Sequence, residues 1–301
     1  MCKSMDRREF LKSLGVVVAG ASLTQVYNPL VAKALAETVK GAPPVIWFAG
    51  GTCGGCSISA LNAMHPKIET ILMDLITLHY HINISAGSGE VLMDHVYKVM
   101  KENKGQYVYV QEGVIPTAAE GRYCIVGEKG GKRVTMMEMA KDLADNAAAV
   151  VSAGSCPSFG GIPSAGPNPT GVKPLSELVS KPVVNIPGCP VHPDDIFGTL
   201  VYYLKNGLPE LDKHNRPKLF FGGNLHDNCY LKPEFDKENF AENWGEQGKC
   251  YAMLGCLGPN TFCDAWKRGW NNNINWCVKS GSHCIGCTEP TFAKTKTGLY
   301  F

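Results

Sequence analysis

The sequence predicts an α/β fold: a parallel, doubly wound domain over residues 44–205, then an irregular domain over 211–301 stapled by ligation at cysteine. Three observations carry this. Short apolar runs recur, and most end in a loop bearing glycine with cysteine or an acid. Hydrophobic periodicity is lost past Leu211. Thirteen of the 301 residues are cysteine, beside 33 glycines and 19 prolines.

The runs are taken in order. Residues 44–50, PVIWFAG, read as a buried strand, entering the turn GGTCGGC and then a helical stretch up to Pro66. Residues 107–110 read as a strand followed by the loop QEGVIP. Residues 135–144 have helical spacing. Residues 148–152 are the next strand, ending in AGSCPSFGG, and 183–186 another, ending in PGCP. Residues 195–205 return as a helix. Strand, ligand-bearing loop and helix in alternation place a site at the carboxyl ends of parallel strands. The domain is therefore expected to be flavodoxin-like. Beyond it, LFFGG at 219–223 reads as one short strand, and only 261–270 hints at a period. So irregular a segment needs an internal staple, and ligand bonds to metal contribute folding energy.

Charge excludes little but is informative in where it lies. Residues 1–36 hold five Lys/Arg and two Asp/Glu; the rest holds 24 basic and 25 acidic residues. No broad basic field exists for nucleic acid. Residues 1–36 read as a twin-arginine export signal: Arg7 and Arg8, then Phe10, Leu11 and Lys12, a mild apolar stretch at 14–26, and the small-residue site Ala34-Leu35-Ala36. That route exports folded proteins. It reconciles many free thiols with a periplasmic destination, because metal can be inserted in the reducing cytoplasm first. No later stretch is long and apolar enough to span a membrane.

The cysteines sort into fours. Cys53, Cys56, Cys156 and Cys189 each follow a predicted strand, so their loops converge at one sheet edge and suit a [4Fe–4S] cubane. Gly54, Gly55, Gly160, Gly161 and Gly188 let backbone approach it and aim N–H groups at its sulfides. Four thiolates also suit structural zinc, although zinc ligands usually come in short-spaced pairs. His226, Cys229, Cys250 and Cys256 make a second four, unless His226 is an ordinary loop residue. A neutral imidazole would leave its cluster less negative and raise its potential. Cys263, Cys277, Cys284 and Cys287 are the third four. Cys2 falls in the signal, and Cys124 remains as a structural thiol packing as a small hydrophobe. No residue reads as a substrate acid or base, and no G-x-G-x-x-G follows a strand.

Eight motifs in this order resemble the small subunit of nickel–iron hydrogenases over residues 44–301. They are CGGCS at 53–57, EGVIPT at 112–117, GSCPSFGGIP at 154–163, PGCPVHP at 187–193, HDNC at 226–229, GCLGP at 255–259, NNNINWC at 271–277 and CIGCTEP at 284–290. The resemblance implies three clusters in relay, with reversible oxidation of H2 at a nickel–iron centre held by a large subunit as partner. The proximal cluster would be held by Cys53, Cys56, Cys156 and Cys189. Cys263, Cys277, Cys284 and Cys287 would hold the medial one, and His226, Cys229, Cys250 and Cys256 the distal one. Glu112 and its loop would lie in the segment that packs at the large-subunit interface. A cytochrome c or a membrane cytochrome b would take the electrons.

The departures from the usual pattern matter. Cys277 stands where most periplasmic relatives have proline beside a [3Fe–4S] cluster, so all three clusters are expected to be [4Fe–4S], nearest the nickel–iron–selenium type. Thr52 stands where many members have glutamate. No extra cysteine pair flanks Cys53 and Cys56, so neither a six-cysteine proximal cluster nor a C-terminal anchoring helix after CIGCTEP is expected. Two rival readings stand beside this: an iron–sulfur electron-transfer subunit of another respiratory complex, and a zinc- or disulfide-stapled exported protein.

Overall fold

The computed structural model of the chain describes residues 42–294; the expected export signal at 1–36 and residues 295–301 lie outside these. Nine strands follow in chain order: β1 Pro44–Ala49, β2 Thr77–His81, β3 Val108–Glu112, β4 Ile115–Pro116, β5 Ile125–Lys129, β6 Lys132–Thr135, β7 Ala149–Ala153, β8 Val172–Lys173 and β9 Val183–Ile186. Five form one sheet in the order β2-β1-β3-β7-β9, every pair parallel. Counted among themselves these five run 2-1-3-4-5, the flavodoxin-like order. β4 pairs with β8, and β5 with β6, as small antiparallel ribbons.

Both faces of the sheet are covered, which is why β1, β7 and β9 read as mainly apolar runs. Ile46, Phe48 and Tyr109 point to one side, where helices α2 (Gly89–Glu102) and α3 (Met136–Asn146) bring Met93, Val96, Met139 and Leu143. Val45, Trp47, Val108 and Val110 point to the other. There Ala60 of helix α1 (Gly55–Leu61) and Ile196 and Phe197 of helix α5 (Pro193–Asn206) pack. Between α3 and α5 lies the short helix α4, Ser155–Phe159. Helix α3 starts at a capping box in which the Thr135 side chain accepts from Glu138 N while Glu138 Oε2 accepts from Thr135 N.

The 107–110 strand runs further than its apolar residues, through Gln111 and Glu112, because both side chains find buried partners. The segment 219–223 is not a strand. Lys218–Phe221 is one helical turn, with the amides of Phe220 and Phe221 bonded to Pro217 O, and both phenylalanines are buried. A short apolar run has no period by which strand and buried helix can be told apart. β2, α2 and the β5–β6 ribbon were not foreseen from the sequence. Past α5 the described residues form only short turns of helix and isolated bridges. Its small core joins Leu225, Leu231, Tyr251, Trp276 and Val278 to the cysteines themselves: Cys284 is in it, and Cys229, Cys256 and Cys263 pack against it.

Candidate metal centres

Register brings the first four thiols together. Ala49 is opposite Glu112, Glu112 opposite Ala153, and Ala153 opposite Ile186, so β1, β3, β7 and β9 end in one row. The loops beyond that row carry Cys53 and Cys189, while Cys56 lies in the first turn of α1 and Cys156 in the first turn of α4. Burial pushes the Cys156 thiol up to about 12, and the charges of Cys189, Cys53 and Glu112 add to it. Cys56 is raised by burial, against a hydrogen bond from the Val191 amide, with Glu112, Cys156 and Cys189 adding to the rise. Each of the four is thus within electrostatic reach of others in the set.

Backbone closeness is built in. A Cβ on Gly154 would stand 2.5 Å from Cys56 Sγ, and one on Gly161 3.0 Å from Cys156 Sγ. Beneath the CGGC turn sits Glu112, 1% exposed. Its carboxylate accepts from Trp47 Nε1 at 2.9 Å, Thr52 Oγ1 at 3.1 Å and Ser57 N at 3.2 Å, and from the Ser57 hydroxyl. Ser57 Oγ also meets His81 Nε2 at 3.0 Å, and His81 Nδ1 accepts from Asn83 N. The Glu112 side chain therefore turns inward and ties the ligand loop to three strands. Trp47, Ser57 and His81 were not singled out from the sequence; nothing in their spacing marks them.

The set Cys263, Cys277, Cys284 and Cys287 lines one cavity of about 290 Å³, shared with Cys189 and Arg268. Burial drives Cys263 and Cys287 well above the ordinary thiol value, and Cys284 up to about 12, each reinforced by other thiols of the set. Cys284 Sγ has partners: Thr261 Oγ1 lies 3.4 Å away, and Gly286 N–H donates to it at 3.4 Å.

In the remaining set, burial raises Cys229 and Cys250; both feel Cys256, and each accepts a hydrogen bond from a backbone amide, of Leu231 and Ala252. His226 and Cys256 flank Gly258: a Cβ there would be 3.8 Å from His226 Cβ and 3.4 Å from Cys256 Sγ. Burial and Lys232 pull His226 below its ordinary value, which leaves a neutral imidazole, the ligand form. Its ring stands edge-on to Phe235, centroids 4.6 Å apart. Cys124 is half-buried against the sheet core, away from these groups, and burial raises it.

The donors fit iron–sulfur clusters. Every cysteine among the described residues is free. Thiols pushed this high would stay protonated alone; multivalent cations are what let them ionise. Zinc would need its sulfurs about 2.3 Å from one point. Among the described residues no three His, Cys, Asp or Glu side chains gather to hold a single ion. A cubane takes one thiolate per iron, so its ligands share no single metal. The groups also lie in series. Cys287 feels Cys189, while Cys284 and Cys277 feel Cys256.

An α/β frame with thiol groups strung in series is that of an electron-transfer protein. Two family descriptions match the chain in tandem. Residues 53–203 match the 20 Kd subunit of NADH ubiquinone oxidoreductase, and residues 221–300 match the C-terminal part of the NiFe/NiFeSe hydrogenase small subunit. The chain is 46% identical to the periplasmic [NiFeSe] hydrogenase small subunit of Desulfomicrobium baculatum, over 99% of both chains. The crystal structure of the reduced, active hydrogenase from that organism superposes with a TM-score of 0.82 at 46% identity, covering 86% of this chain and 99% of that one. The recombinant [NiFeSe] hydrogenase of Desulfovibrio vulgaris Hildenborough gives 0.80 at 40% identity, covering 85% and 96%. The chain belongs to the small subunits of nickel–iron and nickel–iron–selenium hydrogenases, and its activity is that of the complex with a large subunit.

Proposed function

We propose that this subunit relays electrons from H2 oxidation in the large subunit through three [4Fe–4S] clusters, reversibly. Cys53, Cys56, Cys156 and Cys189 would hold the first. Cys263, Cys277, Cys284 and Cys287 would hold the second, and His226, Cys229, Cys250 and Cys256 the third. The observation that carries this is the serial placement of the three donor groups within electrostatic reach of one another, Cys189 with Cys287 and then Cys284 with Cys256.

Bound clusters supply one-electron redox chemistry. The residues supply the rest. Glu112 holds the CGGC turn in place through Thr52 and Ser57. Amides such as Gly286 N donate to thiolate sulfur and favour the more negative, reduced state. His226, half-exposed, would be the exit toward an external carrier, a cytochrome c or a membrane cytochrome b. Among the described residues no helix is long and apolar enough to cross a membrane. The periplasmic relative supports a periplasmic site, reached by the twin-arginine signal at 1–36. In this reading 44–205 forms the domain of the first cluster and 211–301 that of the other two.

The test is iron and acid-labile sulfide in the anaerobically purified native complex. About twelve of each from this chain is expected, beside one nickel and one iron from the partner. Zinc, or no metal, overturns the reading.

A further inference from the structure

One hydroxyl ties together three segments that each carry a ligand cysteine. Ser155, 1% exposed, precedes Cys156. Its Oγ accepts from Gly188 N at 2.8 Å and donates to Cys287 O, while its own N–H donates to Gly188 O at 3.0 Å. Gly188 is thereby pinned at both its amide and its carbonyl, and the next residue, Cys189, is aimed. Cys189 and Cys287 line the same cavity, and the Cys189 backbone N–H acts on the Cys287 thiol.

The consequence rests on the relay reading above. Cys189 belongs to the first donor set and Cys287 to the second. From the Cys189 sulfur the covalent route through Cβ and Cα reaches the amide nitrogen that acts on the Cys287 thiol. Covalent bonds and hydrogen bonds conduct a tunnelling electron better than a gap between packed atoms. The same N–H, acting on a thiolate of the second set, favours its reduced state.

We propose that Ser155 is a positioning residue for electron transfer: it clamps Gly188 and the Cys287 carbonyl so that the Cys189 amide forms the junction between the first and second clusters. The junction passes one electron at a time. The first cluster is oxidised by one electron and the second reduced by one, with H2 as the source, and no bond is made or broken.

The test uses the assembled heterodimer with Ser155→Ala and Ser155→Thr. Iron content is measured first, then cluster potentials by EPR-monitored titration. Transfer from first to second cluster is followed by freeze-quench EPR after mixing with H2. Ser155→Ala is expected to keep its iron, lower the potential of the second cluster and slow this transfer. Ser155→Thr, which keeps the hydroxyl, restores both. A general loss of packing would not single out that potential or be restored by threonine. If Ser155→Ala does not assemble, Ser155→Thr against Ser155→Val, alike in shape, isolates the hydroxyl. Full iron with unchanged potential and transfer in Ser155→Ala, or in Ser155→Val, overturns the junction and leaves the relay intact. A native complex without cluster signals overturns both.

Discussion

Gly154→Ala tests the first donor set most directly. Gly154 has φ +98° and ψ 168°, a backbone region essentially restricted to glycine. A side chain there costs about 1–3 kcal/mol in strain. The added Cβ would also lie 2.5 Å from Cys56 Sγ. A free thiol would swing away, but a sulfur bound to iron is fixed, so overlap adds roughly another 1–3 kcal/mol. Together about 2–6 kcal/mol is set against a typical domain stability of about 5–15. Positive-φ strain without overlap is sampled by Gly54→Ala: φ is +75° there, a left-handed turn milder than that of Gly154, and an added Cβ meets nothing within 4 Å. Iron analysis of the purified heterodimer, with the rate of thermal inactivation, separates the two. Gly154→Ala should lose about four irons, one cubane's worth, while Gly54→Ala keeps its iron and inactivates only slightly faster. Gly154→Ala with full iron and native stability would refute the claim that Cys56 Sγ is pinned beside Gly154.

Three further outcomes follow from other parts of the molecule. Arg216 is 2% exposed and holds Asp212 Oδ2, Glu289 Oε1 and Thr288 O, each at 2.8 Å. Arg216→Met leaves Glu289 without its cation, a loss of about 3–5 kcal/mol that should lower the urea midpoint, with 262–289 exchanging amide hydrogens first; an unshifted midpoint counts against it. Cys277→Pro should leave the complex one iron short, about eleven from this chain, and an unchanged count would remove Cys277 from the second ligand set. His81 is held below its ordinary value of 6.5 by burial, with Glu112 opposing. The unfolded chain therefore takes up that proton first as pH falls. The stability His81 provides is present above about pH 6.5 and is lost as pH drops through its lower folded value. Thermal inactivation should steepen below that pH in the native complex and less so in His81→Gln; parallel profiles would discount His81.

What could be read from the sequence divides along physical lines. Parallel strands covered on both faces read as mainly apolar runs, so PVIWFAG, 148–152 and the edge run 183–186 stand out even with Ser152 and Asn185 in them. β2, TLHYH, is an edge strand with Thr77 exposed and Leu78 and His79 half-buried, and its mixed polarity hides it. In α2 the buried positions Met93, Val96, Val99 and Met100 do keep a helical spacing, so a signal was present there. The thiols were legible because cysteine is chemically scarce and the strand ends set where three loops must meet. Their supports were not. Ser155, Ser57, Arg216 and Arg268 are polar residue types that usually face water, and only tertiary contact shows them buried and bonded. The irregular C-terminal part explains the division best. Its core packs against its own cysteines, and its buried thiols stay protonated without a cation. Its order is then a property of ligation as much as of apolar pattern, so sequence periodicity had little to report there.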